Sequence, residues 1–248
     1  MNQPQGPSLK QTLKQSLKSI LTIAAEKPRT VCVFDLDSTL FNVSPRTQRI
    51  LHEFAELHKP ELKKVEILHT DWGLKESLVR AGYQFDENPE LHQTLRDFWV
   101  DRFFTNTYLH FDVPYRGAVP YVQRLHETGC EIHYLTGRDV ARMGIGTMEV
   151  LKKWGFPVEE KNLHLKPHRS IDDHQFKVDW VVERFPLANY PADLAPIYFF
   201  ENEPVNINLL GKVRPDIHIV HLDTTHSRQE EVNVPVMKVS NFYYEEEN

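Results

Sequence analysis

Short runs of β-favouring apolar residues alternate along the chain with longer segments in which apolar residues recur every three or four positions. The runs predict strands over residues 31–34, 131–135, 163–165, 195–200 and 216–221, with an edge strand over 234–239. The longer segments predict helices that include residues 117–126, 141–154 and 173–185. Strands that alternate with helices through short connections are typical of a doubly wound parallel α/β sheet.

The first twenty residues predict an additional helix before the first strand. Ser8 and Gln11 form a capping-box pattern ahead of leucines at helical spacing, and Pro28 would end the helical segment. The lysines of this amphipathic helix are expected on a solvated face. Contact of that face with a membrane surface is the less favoured alternative.

Residues 42–112 predict helices only. A first helix begins at Ser44 and Pro45 and stops before Pro60, a second covers residues 72–79, and a third opens at Asn88 and Pro89. The chain is therefore expected to form a core from residues 1–41 and 113–248, with residues 42–112 as a helical insert. An insert beside a candidate site typically forms a lid that excludes water and selects the substrate. A helical decoration of the core is the alternative.

Composition narrows the class of protein. With 35 acidic and 29 basic residues, the net charge of −6 argues against a broad surface for nucleic acid or anionic membrane. No apolar run approaches the length of a membrane span, and no export signal is visible, so we expect a soluble protein. Cys32 and Cys130 lie in or beside predicted core strands, where free cysteines behave as apolar residues. A reduced, cytoplasmic setting is expected.

Two aspartates at the end of the first strand carry the candidate chemistry. Asp35 and Asp37 follow Val31–Phe34, an unbroken apolar run that predicts a strand buried on both faces. Both carboxylates then lie at the carboxyl end of a parallel strand, where open α/β sheets bind their ligands. Carboxylates hold Mg²⁺, and an ionised aspartate can attack phosphorus. An aspartate-rich turn without chemistry is the alternative.

Polar residues also follow two later strands. Thr136, Gly137 and Arg138 follow strand 131–135, and a hydroxyl followed by glycine can bind phosphate oxygens together with backbone N–H groups. Glu201 follows strand 195–200. Because the carboxyl ends of parallel strands share one edge of the sheet, these groups are expected near Asp35.

Two of these stretches resemble known motifs. The string Phe-Asp-Leu-Asp-Ser-Thr-Leu-Phe, residues 34–41, resembles the first motif of the haloacid dehalogenase-like superfamily, in which Asp-x-Asp-x-Thr/Val follows the first core strand. The stretch that ends in Leu-Thr-Gly-Arg, residues 135–138, is similar to the second motif. The similarity extends from residue 30 to about residue 210. It implies a Rossmann-like core, with the helical insert as a C1-type cap.

The resemblance also implies an activity and a set of site residues. Asp35 would be the nucleophile of a Mg²⁺-dependent phosphatase that forms an aspartyl phosphate, and Asp37 would be its general acid and base. A small phosphorylated substrate would be bound by Thr136, Gly137, Arg138 and Lys166, and Mg²⁺ by Asp35, Asp37 and Glu201. Lys177 is favoured over Lys166 as the lysine of the third motif, because a helix fixes its direction better than a loop beside proline does.

The fourth motif departs from the family pattern, and alternatives remain. Where Gly-Asp or Asp-Asp is usual, this chain has Glu201, whose carboxylate is one methylene longer, and Asn206 is a candidate to hold a metal-bound water. An acid at position 37 argues against the dehalogenase branch. A phosphomutase or phosphotransferase of the same superfamily is one alternative activity. A catalytically silent phosphate-binding module is the alternative from another class.

Overall fold

A parallel sheet forms the centre of the protein. The computed structural model describes residues 16–27, 29–84, 89–190 and 195–244. Within them the main sheet has six strands in the order β5-β4-β1-β6-β7-β8, and every neighbouring pair is parallel. The strands are β1 (Val31–Phe34), β4 (Glu131–Asp139), β5 (Leu163–Lys166), β6 (Ile197–Glu201), β7 (His218–Leu222) and β8 (Met237–Val239).

Helices cover both faces of this sheet because β1 is apolar on both sides. Cys32 and Phe34 pack in one hydrophobic cluster with side chains of helix α5 (Ala118–Glu127), whereas Val31 and Val33 pack in another with side chains of helix α7 (Asp173–Arg184). The core helices are α1 (Leu17–Glu26), α5 (Ala118–Glu127), α6 (Val140–Trp154), α7 (Asp173–Arg184) and α8 (Pro204–Val213). The prediction of a doubly wound, Rossmann-like α/β fold is confirmed.

The helical insert follows β1 and is joined to the core through a short ribbon. Strands β2 (Phe41–Asn42) and β3 (Val113–Pro114) pair in antiparallel fashion at its two ends. Between them lie α2 (Ser44–Leu57), α3 (Leu74–Arg80) and α4 (Pro89–Phe103), with 3₁₀ helices at Pro60–Lys64 and Asn106–Phe111. The insert has its own hydrophobic cluster, which includes Leu51, Phe54 and Leu78. Predicted junctions at residues 42 and 112 therefore lie at the ribbon.

Several boundaries differ from the predictions. Strand β4 continues four residues beyond residue 135, and its pairing with β5 is irregular between Thr136 and Asp139. Helix α1 begins after Ser16, whose side chain forms a capping box with Ser19. The predicted capping residues Ser8 and Gln11, like Pro28 and Asn88, lie outside the described residues.

In the part of the chain that the structure describes, neither cysteine forms a disulfide, and the helices are short or polar. Cys32 and Cys130 are both buried and form no disulfide, in agreement with their predicted role as apolar core residues. Among the described helices, none combines the length and apolar character that a membrane crossing requires.

Candidate active site

The predicted site residues come together at the carboxyl ends of β1, β4 and β6. One cavity of about 600 Å³ is lined by all eight of them: Asp35, Asp37, Thr136, Gly137, Arg138, Lys166, Lys177 and Glu201. The core supplies this polar floor, and the helical insert supplies aromatic side chains to the same cavity. The parallel strand order explains the convergence, since each of these strands ends at the same edge of the sheet.

Asp35, Lys177 and Glu201 form a buried triad on the floor. The backbone N–H of Asp35 donates to the carbonyl of Phe200 at 3.0 Å, which holds Asp35 beside the end of β6. Lys177 extends from α7, and its Nζ lies 2.7 Å from both Asp35 Oδ1 and Glu201 Oε2. Burial and the neighbouring Glu201 raise the pKa of Asp35 to about 7 despite this ammonium. Two carboxylates share one cation, so the triad carries excess negative charge when all three groups are ionised.

Glu201 accepts hydrogen bonds at both oxygens and is fully buried. Its Oε1 accepts from the backbone N–H groups of Asn202 and Glu203, each at 3.0 Å. Its Oε2 accepts from Lys177 and from the Asn206 side chain on α8. A carboxylate has about four lone-pair positions, so these four donors occupy its accepting capacity. Glu201 thus orients Lys177 and Asn206 in this structure.

Asp37 lies between two arginines. Arg138 donates to its two carboxylate oxygens at 2.8 Å each, and Arg46 donates to Oδ1 at 2.5 Å. Burial alone would raise the pKa of Asp37, but the charges of Arg138 and Arg46 outweigh it and hold the pKa well below its usual range. The carboxylate remains 34% exposed on the cavity side. Asp37 is therefore an ionised group that both ion pairs keep in place.

Asp112 completes this cluster from the far end of the insert. It accepts from Arg46 Nε at 2.8 Å and from Arg138 Nη2 at 2.7 Å, and all three side chains are buried. Arg46 and Asp112 were not predicted, because no local pattern marks a residue whose partner lies on another element. The predicted role of Arg138 as a phosphate ligand stays a prediction. In the structure its guanidinium donates to Asp37 and Asp112.

The second motif lies on the same floor. Thr136 is buried, and its Oγ1 accepts from the backbone N–H of Arg138 at 3.3 Å. A Cβ atom at Gly137 would lie 2.5 Å from Asp173 Oδ2, so a side chain at this position would displace Asp173. Asp173 is the ion-pair partner of Lys166, which also donates to the carbonyl of Ile171. Lys166 thus lines the cavity without contacting Asp35, whereas Lys177 contacts it directly.

The predicted three-carboxylate metal set is not assembled in this structure. Across the described ranges, no group of three or more His, Cys, Asp and Glu side chains is placed to hold a metal ion. The physical reason is that Asp37 is held by arginines and Glu201 by four protein donors. A cation fits best beside Asp35. Asp35 and Glu201 carry two negative charges when both are ionised, and Lys177 supplies only one positive charge to them.

Comparisons with known proteins identify the fold and the family. A family model described as haloacid dehalogenase-like hydrolase matches residues 30–154, which is half of the 248-residue chain. No curated protein matches. Among solved structures, a candidate phosphatase from Clostridium difficile is 14% identical, with 85% of this chain and 94% of that chain covered and a TM-score of 0.53.

Two further structures share the fold. Protein Tyrosine Kinase A from Mycobacterium tuberculosis is 15% identical over 87% of this chain and 95% of that chain, with a TM-score of 0.50. A candidate haloacid dehalogenase-like hydrolase from Burkholderia xenovorans LB400 is 15% identical over 86% of this chain and 95% of that chain, also at 0.50. At these identities the structures show the fold alone. Because the family model covers half of the chain and includes both predicted motifs, this protein belongs to the haloacid dehalogenase-like hydrolases.

Proposed function

We propose that this protein is a Mg²⁺-dependent phosphatase that hydrolyses a small phosphomonoester through an aspartyl phosphate on Asp35. One observation carries the proposal: Asp35 lies buried at the end of β1, 2.7 Å from the ammonium of Lys177, on the floor of a cavity of about 600 Å³. A carboxylate beside a fixed cation suits nucleophilic attack on a phosphoryl group, whose negative charge must be neutralised.

In the first half-reaction an oxygen of Asp35 forms a bond to phosphorus while the bond between phosphorus and the leaving oxygen breaks. Lys177 stabilises the charge on the transferring group, because its ammonium already lies beside the nucleophile. Thr136 and the backbone around Gly137 face the same cavity and are proposed to orient the phosphoryl oxygens. Lys166 is proposed to contribute positive charge to the cavity wall.

Asp37 is proposed as the general acid and then the general base. To protonate the leaving oxygen it must carry a proton, which the two arginines oppose. As a base it takes a proton from the water that cleaves the aspartyl phosphate, and its ionised form is ready for that step. The geometry therefore supports the second half-reaction more directly. Arg46 and Arg138 are positioning residues in this proposal.

Mg²⁺ would be held by Asp35 and Glu201. When bound, it would supply positive charge beside the phosphoryl oxygens, as metal ions do in phosphoryl transfer. The excess negative charge of the Asp35, Lys177 and Glu201 triad supports a cation at this place. Since the acceptor positions of Glu201 are occupied, the cation would have to compete with Lys177 or Asn206 for that carboxylate.

Residues 42–112 are proposed to act as a C1-type cap over the core formed by the flanking segments. Arg46 and Asp112, near the two ends of this insert, both contact site residues of the core, which supports a cap that is coupled to the site. A cytoplasmic location is proposed on the basis of the two buried free cysteines.

A catalytically silent phosphate-binding module is a second candidate. The occupied carboxylate of Glu201 favours it, since Glu201 cannot take a metal without giving up one of its four protein donors. A phosphomutase or phosphotransferase would use the same nucleophile but pass the phosphoryl group to an acceptor other than water.

Phosphate release with purified protein separates these functions. We expect inorganic phosphate from a panel of sugar phosphates, nucleotides and aryl phosphates with Mg²⁺, and loss of release with chelator. Asp35→Asn keeps the shape of the side chain and is expected to abolish turnover while circular dichroism stays unchanged. Near-normal turnover of Asp35→Asn would exclude the covalent mechanism. Phosphate binding without turnover would favour the silent module, and transfer to an added alcohol or sugar would favour the transferase.

A further inference from the structure

The cavity has two chemically different sides. Its floor is built from the charged core residues described above, and the insert adds four aromatic residues to its lining: Trp72, Trp99, Phe103 and Phe104. A phosphoryl group needs only the polar floor. A volume of about 600 Å³ is within the range of small-molecule sites, so the cavity has room for a substantial group beyond the phosphate.

Trp72 is the most exposed of the four aromatic residues. Its side chain is 49% exposed, and among the described residues no aromatic ring or cation packs on its indole. The turn that carries it is well held, since Asp71 accepts from the backbone of Leu68 at 2.8 Å and from both terminal nitrogens of Arg80 at 2.7 Å. A flat apolar surface is thus presented to the cavity from a fixed turn.

The remaining rings form a rigid surface on α4 and the residue that follows it. Trp99 stacks on Phe103 with centroids 4.3 Å apart, and its Nε1 donates to Thr47 at 3.3 Å. Phe104 meets Trp99 edge to face at 5.8 Å. These contacts fix the rings before any ligand binds, which lowers the entropic cost of stacking a ligand on them.

Positive charge at the cavity limits which ligands suit this aromatic surface. Aromatic rings also bind quaternary ammonium groups through cation–π contacts. Arg142 and Arg169, however, line the same cavity. Arg142 is paired with Asp139, whereas Arg169 forms no ion pair within the described ranges. The charge of Arg169 disfavours a cationic substituent and leaves an uncharged or anionic planar ring as the better match.

We propose that the substrate is a phosphomonoester whose alcohol carries a planar aromatic ring, which binds against Trp72 and Trp99 while the phosphate lies on the floor. Phe103 supports Trp99 from behind, since its own ring is covered by Trp99 and by the Arg46 guanidinium at 4.0 Å. This inference rests on the proposed phosphatase function and names its substrate class. Aromatic rings in contact prefer stacked or edge-to-face arrangements and gain binding free energy beyond that of buried area alone.

A matched pair of substrates tests the proposal. Benzyl phosphate and cyclohexylmethyl phosphate are similar in size, carry the same charge and leave as primary alcohols, so they differ chiefly in the ring. We expect kcat/KM for benzyl phosphate to exceed that for cyclohexylmethyl phosphate by about five- to tenfold, the effect of one good aromatic contact. Values within twofold of each other, or a preference for phosphocholine, would overturn the inference.

Substitution of Trp72 adds a second readout. Trp72→Leu keeps an apolar side chain but removes the ring, and we expect it to reduce the preference for benzyl phosphate to about twofold or less. Tyr243→Leu is the matched control, because Tyr243 is an exposed aromatic residue that does not line the cavity. An unchanged preference in Trp72→Leu, or an equal loss in Tyr243→Leu, would contradict the assignment of the aromatic surface.

Calorimetric binding of the two phosphates to Asp35→Asn distinguishes failure of this inference from failure of the proposed function. Tighter binding of benzyl phosphate by the variant, with no turnover of either compound by the wild type, would support the aromatic site and contradict the phosphatase. Equal turnover and equal binding of both compounds would support the phosphatase and overturn the aromatic site.

Discussion

Arg46 of the insert and Asp37 of the core are joined by an ion pair of 2.5 Å. The same guanidinium binds Asp112 at the other end of the insert, and Arg138 of the core binds both aspartates. Two arginines and two aspartates therefore connect the junctions of the insert to the second acid of the first motif. Because charges in a buried cluster depend on each other, we expect the position of the insert and the ionisation of Asp37 to be coupled.

Replacement of Arg46 by methionine tests this cluster. Arg46→Met keeps much of the volume but leaves Asp112 and Asp37 with one guanidinium between them, and breaking a buried pair from one side costs about 3–5 kcal/mol of unfolding free energy. Urea unfolding measures this loss, and kcat/KM should also fall. Arg49→Met is the control, since the exposed pair of Arg49 with Glu53 is worth about 0–1 kcal/mol. Equal losses in both variants would contradict a special role of Arg46.

Two lysines compete for the role next to the nucleophile. Lys177→Ala removes the ammonium that touches Asp35 and Glu201 and leaves two buried carboxylates facing each other, so kcat/KM should fall by about 10²–10³. Lys166→Ala mainly leaves the half-exposed Asp173 without its ion-pair partner, so kcat/KM should fall by about tenfold or less. The measurement is steady-state kinetics on folded protein. If kcat/KM falls strongly in Lys166→Ala but not in Lys177→Ala, the assignment of Lys177 is wrong.

The placement of the floor could be predicted because each of its residues is tied to a local pattern. Asp35, Thr136 and Glu201 follow apolar runs, and the parallel order of strands brings their ends together. Lys177 was placed by the resemblance to the third motif of the family, and the predicted helix over residues 173–185 favoured it over Lys166 because a helix fixes the direction of a side chain. The roles of these residues stay predictions until activity is measured.

The site residues that were not predicted owe their roles to contacts between elements that are far apart in the sequence. Arg46 and Asp112 are 66 positions apart and meet where the two ends of the insert come together. Sequence patterns also cannot show that Arg138 and Glu201 are already occupied by protein partners, because that depends on hydrogen-bond geometry. Strand β4 was predicted to end at residue 135, because the apolar pattern ends there. The polar residues that follow still pair with β5, and apolar periodicity does not show such pairing.

Glu201 is expected to govern binding of the divalent cation. Glu201→Gln keeps the shape but removes one of the two carboxylates that share Lys177, so the excess negative charge beside Asp35 disappears. Mg²⁺ at 100 times its Kd would stabilise the wild type by about 2.7 kcal/mol, and the variant should lose most of this effect in a thermal melt. Glu160→Gln is the control, because Glu160 is exposed and does not line the cavity. An unchanged response to Mg²⁺ in Glu201→Gln would point instead to Asn202, Glu203 or Asn206.

Stability is expected to fall in mild acid because of a histidine pair away from the site. His164 Nε2 lies 3.0 Å from His133 Nδ1, and the His164 ring packs on Trp180 with centroids 4.3 Å apart. Burial, with a smaller effect from the charge of His133, lowers the pKa of His164 to about 4. In the unfolded chain the pKa is about 6.5, so between pH 6.5 and 4 the unfolded state takes up a proton that the folded state does not.

The free energy of unfolding should therefore decrease as pH falls through this window, with about 1–2 kcal/mol attributable to this half-buried ring. His164→Phe removes the titrating group while it keeps an aromatic ring on Trp180, so its stability should decline less steeply between pH 6.5 and 4. Exposed His126, replaced by glutamine, is the control and should keep the wild-type slope. Urea unfolding at several pH values gives these slopes. Parallel pH profiles of the wild type and His164→Phe would show that other groups cause the loss of stability in acid.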